Sequence, residues 1–285
     1  MFNMILENKD GKRLLFGPGS PYTITEFEGL NPPKATINTN TTATLDGGMY
    51  NSAKLDMRSI NVAFAIEEEA EKNRLAVYSV IQSKLPLRIY YQSELLDVFI
   101  DGYVEEIDIS YFAKKNIVTV SVLCPFPYLK GAQEIINELS SVEAKFHFPF
   151  ASEASPGQLV FGEIDTLTSV NVQNAGSVVT GLTFELYAKD SVTNPKIIDY
   201  LTAKYMEINI TMQAGDLITI TTGQGNKTVT LLRGGVKTNI FNLLSKNSTW
   251  LQLDIGGGVF VYEVGMGSTT NLDVTIKHYD LYEGV

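Results

Sequence analysis

Four carboxylates, Asp101, Glu105, Glu106 and Asp108, crowd one short stretch of the sequence. Two carboxylates held roughly 5 to 9 Å apart in a cleft are what glycoside hydrolysis requires, so a cell-wall hydrolase working through Asp101 or Glu105 is one chemistry to weigh. Solvated strand faces carry such residues far more often, and the four are read here as lying on adjoining strands facing water. His147 and His278 are the two histidines. A metal centre or a catalytic dyad needs convergent partners. Neither histidine has at i+2 or i+4 a second His, a Cys or a pair of carboxylates that would converge with it, and Asp273 falls on the opposite strand face from His278. Both are read as histidines at sheet surfaces or edges.

Cys124, the single cysteine, follows an apolar run and precedes Pro125, the setting of a buried structural thiol. It excludes an intrachain disulfide and any multi-Cys zinc site. Residues 223–228, GQGNKT, superficially resemble a phosphate-binding loop. That motif needs four residues between its glycines and a helix after Lys-Thr. Here a strand-like run, 228–232, follows, so the segment is a hairpin turn. Trp250, the sole tryptophan, would stack on a sugar if exposed on a lectin-like sandwich. Its alternating neighbours Leu251 and Leu253 argue for a core or interface position. No catalytic, cofactor-binding or metal-ligating residue is assigned, no ligand-binding residue is named, no cofactor is expected, and the chain is read as not an enzyme.

The elements that hold these residues read as mostly β. Short strands are expected at 14–16 and 22–27, separated by the turn cluster 17–21. Residues 59–66 place Ile60, Val62, Phe64 and Ile66 on one face. One helix is expected over about 68–83, with acids at its start, Leu75, Tyr78, Ile81 and Gln82 at helical spacing, and Pro86 ending it. Strands follow at 87–91, 95–100, 103–109 and 117–123, with a turn at Asp101-Gly102. Residues 36–48, rich in Thr and Asn, read as a strand-and-loop excursion. Within the ambiguous stretch 130–150, residues 134–139 are compatible with a helix and 145–150 look extended. Ala151 opens the best linker candidate, 151–157, which divides the chain into domains of 1–150 and 151–285.

The second domain shows the signature of an all-β sandwich. Its strands are expected at 169–173, 183–188, 205–212, 217–222, 228–232, 250–253, 259–264 and 273–279, with one helical turn at 239–244. Turns are expected at 174–176, 223–226 and 256–258. The start of the sequence lacks a basic region and an apolar core of signal-peptide type, and no apolar run approaches the roughly 18 residues that would cross a bilayer.

Charge narrows the partners. The 285 residues carry 22 basic and 32 acidic side chains, a net charge of −10. The deficit divides evenly, −5 in residues 1–150 and −5 after them. No basic patch hides behind the total, which argues against gripping nucleic acid or an anionic membrane. Charged residues make up 19%, below the roughly 25% of typical soluble domains, as expected of a surface that meets other subunits.

Several segments in collinear order resemble the phage distal tail protein family. They are 29–39 (GLNPPKATINT), 45–50 (LDGGMY), 57–61 (MRSIN), 74–78 (RLAVY), 85–91 (LPLRIYY), 101–106 (DGYVEE) and 120–128 (VSVLCPFPY). Further matches are 174–176 (NAG), Asn194-Pro195, Gly215-Asp216, Asn239-Ile240 and 279–285 (YDLYEGV). The resemblance covers nearly the whole chain. It implies an amino-terminal α+β ring-forming domain, a β-sheet or split barrel with one helix, and a carboxy-terminal galectin-like β-sandwich facing outward. It further implies a homo-hexameric ring that joins the tail tube to the tail-tip adsorption apparatus and leaves a channel for DNA. The partners it implies are other copies of the chain, the tail tube protein, the tail-associated tip or hub protein and, in some members, a receptor-binding protein. Neither sequence-specific nucleic-acid binding nor membrane insertion is implied. Its place would be the distal end of the tail of a siphophage, prophage or tail-like bacteriocin, after synthesis in a bacterial host cytoplasm. The alternative is a carbohydrate-binding adhesion module acting through the sandwich, although no inserted carbohydrate-binding module is evident.

Overall fold

The structure is a computed structural model, and it describes residues 2–44, 46–110, 116–139, 141–143, 163–165 and 169–285, the side chains of 141–143 and 163–165 excepted. The chain divides into two compact units, Met1–Gln133 with Leu281–Val285, and Glu134–Asp280. The linker candidate 151–157, the boundary near Ala151, His147 and the segment 145–150 lie outside the described residues.

The first unit contains β1 (Asn3–Asn8), β2 (Arg13–Phe16), β3 (Tyr22–Glu28), β4 (Ala35–Asn40), β5 (Met49–Leu55), β6 (Arg58–Ile66), α1 (Ala70–Val80), β7 (Pro86–Gln92), β8 (Asp97–Ile109), β9 (Asn116–Cys124) and β10 (Leu129–Gly131). Its main sheet runs β2-β1-β7-β8-β9-β6-β3, all pairs antiparallel. The outermost strands β2 and β3 are neighbours in sequence, joined by the turn 17–21. A turn that short cannot bridge the two edges of a flat seven-strand path, so the sheet curls until they meet. The junction is aromatic: Phe16 of β2 and Tyr22 of β3 both meet Phe64 of β6 edge-on, with ring centroids 4.9 and 5.7 Å away. Phe64 has no exposed surface, and burial of such a side chain contributes about 2–3 kcal/mol.

Helix α1 packs over this junction. Tyr22 Oη donates to the carbonyl of Asn73 at 3.2 Å, and Asn8 Nδ2 donates to that of Ser79 at 3.3 Å. The helix is shorter than the sequence pattern suggests. Glu69 before it has a left-handed backbone (φ 41°), and Ile81 after it is already extended. Val77 and Val80 face the core and Leu75 is exposed, so the buried stripe is rotated from the expected one. Pro86 opens β7 rather than ending the helix.

Strand β8 runs unbroken through Asp101-Gly102, where a turn was expected. An added Cβ on Gly102 would come within 2.5 Å of Val122 Cγ1 and 2.7 Å of Cys124 Sγ. The glycine therefore marks the close approach of β9, not a reversal of direction. The first half of β8 pairs with β10 through Val98 and Phe99, its second half with β9.

The second unit contains β11 (Ile135–Glu138), β12 (Ser141–Glu143), β13 (Glu163–Asp165), β14 (Ser169–Val172), β15 (Thr180–Gly181), β16 (Thr183–Ala188), β17 (Val192–Asp199), β18 (Tyr205–Glu207), β19 (Thr211–Met212), β20 (Leu217–Gly223), β21 (Asn226–Arg233), β22 (Val236–Asn239), β23 (Gln252–Leu253), β24 (Gly258–Met266) and β25 (Leu272–His278). A last short strand, β26 (Leu281–Tyr282), returns to the first unit and pairs with β10. One sheet is β11-β25-β16-β20-β21-β22; the other is β14-β24-β17-β18, with β19 beside β17. Their inward residues share one core, in which Phe184 of β16 meets Phe260 of β24 edge-on at 5.9 Å. This is a β-sandwich.

Four local expectations change here. Residues 134–139 are strand, not helix, because Ile135–Glu138 add to the sheet beside β25. The run 205–212 divides into β18 and β19, because Ile208 leaves the ladder to donate to the carbonyl of Pro195 and bridges to Leu244. Strand β17 was hidden behind Asn194-Pro195; Asn194 has φ 51° and Pro195 pairs opposite Val264 of β24. The turn 239–244 tightens to a single 3-10 turn, Phe241–Leu243.

Candidate assembly surfaces

The polar excursion 36–48 is a projecting two-stranded hairpin. Strands β4 and β5 form a sheet of their own, from Ala35 opposite Leu55 to Asn40 opposite Met49. A bulge between Asn38 and Thr39 sets Thr39 opposite Tyr50. Cross-strand partners share a face, so one face carries Ala35, Ile37, Thr39, Tyr50, Ala53 and Leu55. The other carries Thr36, Asn38, Asn40, Met49, Ser52 and Lys54, tied by Asn38 Nδ2 donating to Ser52 Oγ at 3.0 Å. Ile37 is 61% exposed and Tyr50 67%. A lone two-stranded hairpin is marginally stable in water, and this one turns an apolar face to solvent.

The root of the hairpin is rigid. Gly29 has φ +92°, and a Cβ there would meet the Ser59 carbonyl oxygen at 2.3 Å, so only glycine fits. Beside it the guanidinium of Arg58, 2% exposed, donates to four main-chain carbonyls: Gly29 at 2.6 Å, Asn31 at 3.0 Å, Pro127 at 2.7 Å and Glu283 at 2.5 Å. Burial holds this guanidinium below its usual pKa, an effect opposed by Cys124 and Glu283. Thr36 Oγ1 donates to the Asp56 carboxylate at 2.8 Å, and Asp56 N donates to the Lys34 carbonyl at 3.0 Å, closing the hairpin base.

The residues weighed for chemistry do not converge. All four carboxylates lie on the single strand β8, not on adjoining strands. Asp101 is bound by Arg88 Nε at 2.6 Å and Lys130 Nζ at 3.4 Å, with Arg88 lying 4.3 Å over the Phe99 ring. That pairing raises the Arg88 guanidinium further above its usual range. Glu105 sits at the bulge between Val104 and Glu106, and Glu105, Glu106 and Asp108 are exposed. Cys124 is buried, and desolvation pushes its thiol up to about 12, far from the reactive thiolate form. Residues 223–226 form the expected hairpin turn, with Gly223 opposite Asn226. The Trp250 ring packs on the sandwich core beside Phe241 at 5.7 Å and Lys227 Nζ at 5.4 Å.

His278 departs from its expected place. Its side chain is fully buried rather than at a sheet surface, with Asp280 Oδ1 3.5 Å from Nε2. The alternation of β25 points Leu272, Val274, Ile276 and His278 inward together, a placement that the isolated histidine's polarity masked. Burial lowers its pKa, against the opposing pull of Asp280 and Glu134. Among the described residues no group of three or more His, Cys, Asp or Glu is placed to hold a metal ion, and no helix is long and apolar enough to cross a membrane.

A curled sheet with a projecting hairpin is thus followed in one chain by a β-sandwich. Residues 175–282 match the family model described as siphovirus-type tail component, C-terminal domain. Over 99% of both chains the fold is that of the SPP1 Dit protein, whose crystal structure is described as a paradigm of the hub adsorption apparatus in Gram-positive-infecting phages, with TM-score 0.68 and 16% identity. The phage P2 baseplate in its activated conformation with Ca matches over 100% of both chains at TM-score 0.56 and 12% identity. The same baseplate with Sr matches at 0.53 and 13%. None of the curated proteins compared with the chain matches it. The fold of the chain is thus that of the SPP1 Dit protein, and residues 175–282 match a siphovirus-type tail component domain.

Proposed function

We propose that the chain closes into a six-membered ring at the distal end of the tail, joining the tail tube to the tail-tip adsorption apparatus and leaving a channel for DNA. The observation that carries this reading is the β4–β5 hairpin, whose apolar face of Ile37, Tyr50, Ala53 and Leu55 has no partner within its own sheet. A projection of this kind is buried when it lies on the next copy in a head-to-tail interface, and such an interface closes into a ring when the rotation per subunit divides the circle. The tail tube protein, a tip or hub protein and a receptor-binding protein are the further partners of this reading. The net charge of −10 suits a bore for DNA, since an acidic wall does not retain a polyanion. The reading has a ring-forming half and a sandwich half, expected from the sequence as 1–150 and 151–285, with Ile135–Glu138 added to the sandwich and Leu281–Val285 to the ring-forming half. Deleting residues 39–44 from the full chain tests the arm: ring assembly is expected to fail while both units stay folded, and intact rings from the deleted chain would count against it.

A further inference from the structure

The hairpin root is held by a segment that the chain reaches only after the second unit. Leu281 and Tyr282 pair with Lys130 and Leu129, extending the first unit's sheet. Beyond them the Glu283 carbonyl accepts from Arg58, and Val285 N donates to the Leu30 carbonyl at 3.3 Å. Between those contacts Gly284 lies flat against the chain that leads into β4. An added Cβ would come 2.8 Å from Pro32 Cδ and 3.1 Å from the Leu30 carbonyl oxygen. Arg58 thus gathers three separated segments: the approach to the hairpin (Gly29 and Asn31), the β9–β10 connection (Pro127) and the returning segment (Glu283). Without Glu283 one guanidinium donor of a buried cation has no acceptor, a costly condition that loosens the other three bonds.

We infer that Leu281–Val285 is a latch for the hairpin: the arm is fixed in its direction only after the whole second unit has been synthesised and the chain has returned to Leu30 and Arg58. The latch makes assembly sensitive to synthesis of the second unit, because an unlatched arm presents its apolar face in no fixed register. The inference rests on the proposed ring for its purpose, but not for its physical test. Amide hydrogen exchange on the full chain compares the natural sequence with Gly284→Val, which crowds Gly284 against Pro32, and with Val285→Pro, which removes the donor to Leu30 and restrains Gly284 before it. Exchange across β4, β5 and residues 29–34 should quicken about tenfold or more in both variants, with the second unit unchanged. Unaltered exchange at the hairpin and its root in Val285→Pro, or in a Gly284→Val chain whose Leu281 and Tyr282 amides have become labile, would overturn the latch. If Gly284→Val unfolds the first unit altogether, Val285→Pro alone decides. A natural chain that never forms rings refutes the ring and leaves the exchange comparison to judge the latch.

Discussion

Gly102 lies beneath Cys124 so closely that a single added carbon would come within 2.7 Å of the thiol sulfur and 2.9 Å of the Leu123 carbonyl oxygen. Backbone and a fully buried side chain form the contact, so neither can move aside cheaply. Gly102→Ala is therefore expected to destabilise the first unit by about 1–3 kcal/mol, the range for overpacking a closed core. Urea unfolding monitored in that unit measures it. A change of less than a few tenths of a kcal/mol would mean that β8 and β9 separate readily here.

His278 gives the second unit a sensitivity to mild acid. Burial holds its folded-state pKa below the ordinary 6.5, so the unfolded chain takes up the proton first as pH falls. The stability it allows is complete above about pH 6.5 and is lost on descending through that value toward the lower folded pKa. Asp280 and Glu134, the charged groups that act on it, oppose the shift without reversing it. The second unit's Tm should fall between pH 7 and pH 5, and His278→Gln should flatten that fall. An equal slope in both chains would place the titrating group elsewhere.

Asp216 supplies a separate, more acidic window. It is 2% exposed and accepts from Arg233 through Nε at 2.9 Å and Nη2 at 2.5 Å, and from Gln213 N at 2.7 Å. The hydrogen bond from Arg233 is the main cause holding its carboxyl below the usual range. Its contribution is present above the unfolded pKa near 4 and disappears as pH drops through the folded value. Asp216→Asn should cost about 1–3 kcal/mol at pH 7, less than a fully buried pair because the Arg233 side chain is 41% exposed. Stability curves that keep the same acid slope in the variant would contradict this assignment.

The extent to which the fold was legible follows from how far each signal travels along the chain. Alternation at Ile60, Val62, Phe64 and Ile66 names a strand locally, and β6 forms there, but Ala63 and Ala65 are buried as well, so the strand is covered on both faces rather than half-buried. The turn at 223–226 is equally local. Gly102 misled because glycine also marks turns, and only its contact with Val122 and Cys124 on another strand separates the two cases. Asn194-Pro195 concealed β17 for the same reason, since the ladder to β24 that accommodates them lies some 70 residues away. The hairpin was visible as a polar excursion, but its apolar face was not. The bulge beside Thr39 shifts the phase so that Tyr50 joins Ile37, and period-two counting along one strand cannot see that. Arg58 stands in the 57–61 segment of the resemblance, but its role as a carbonyl clamp carried no local signal, because its partners are backbone carbonyls from segments far apart in sequence.

The ring itself is tested most directly by the mass of the full chain in solution, read together with negative-stain images. Six copies of a 31.4 kDa chain sum to about 188 kDa, and the account predicts a particle of that mass with six-fold views and an open centre. A chain that stays at 31.4 kDa, both alone and with its tail tube and tip partners supplied, would contradict it.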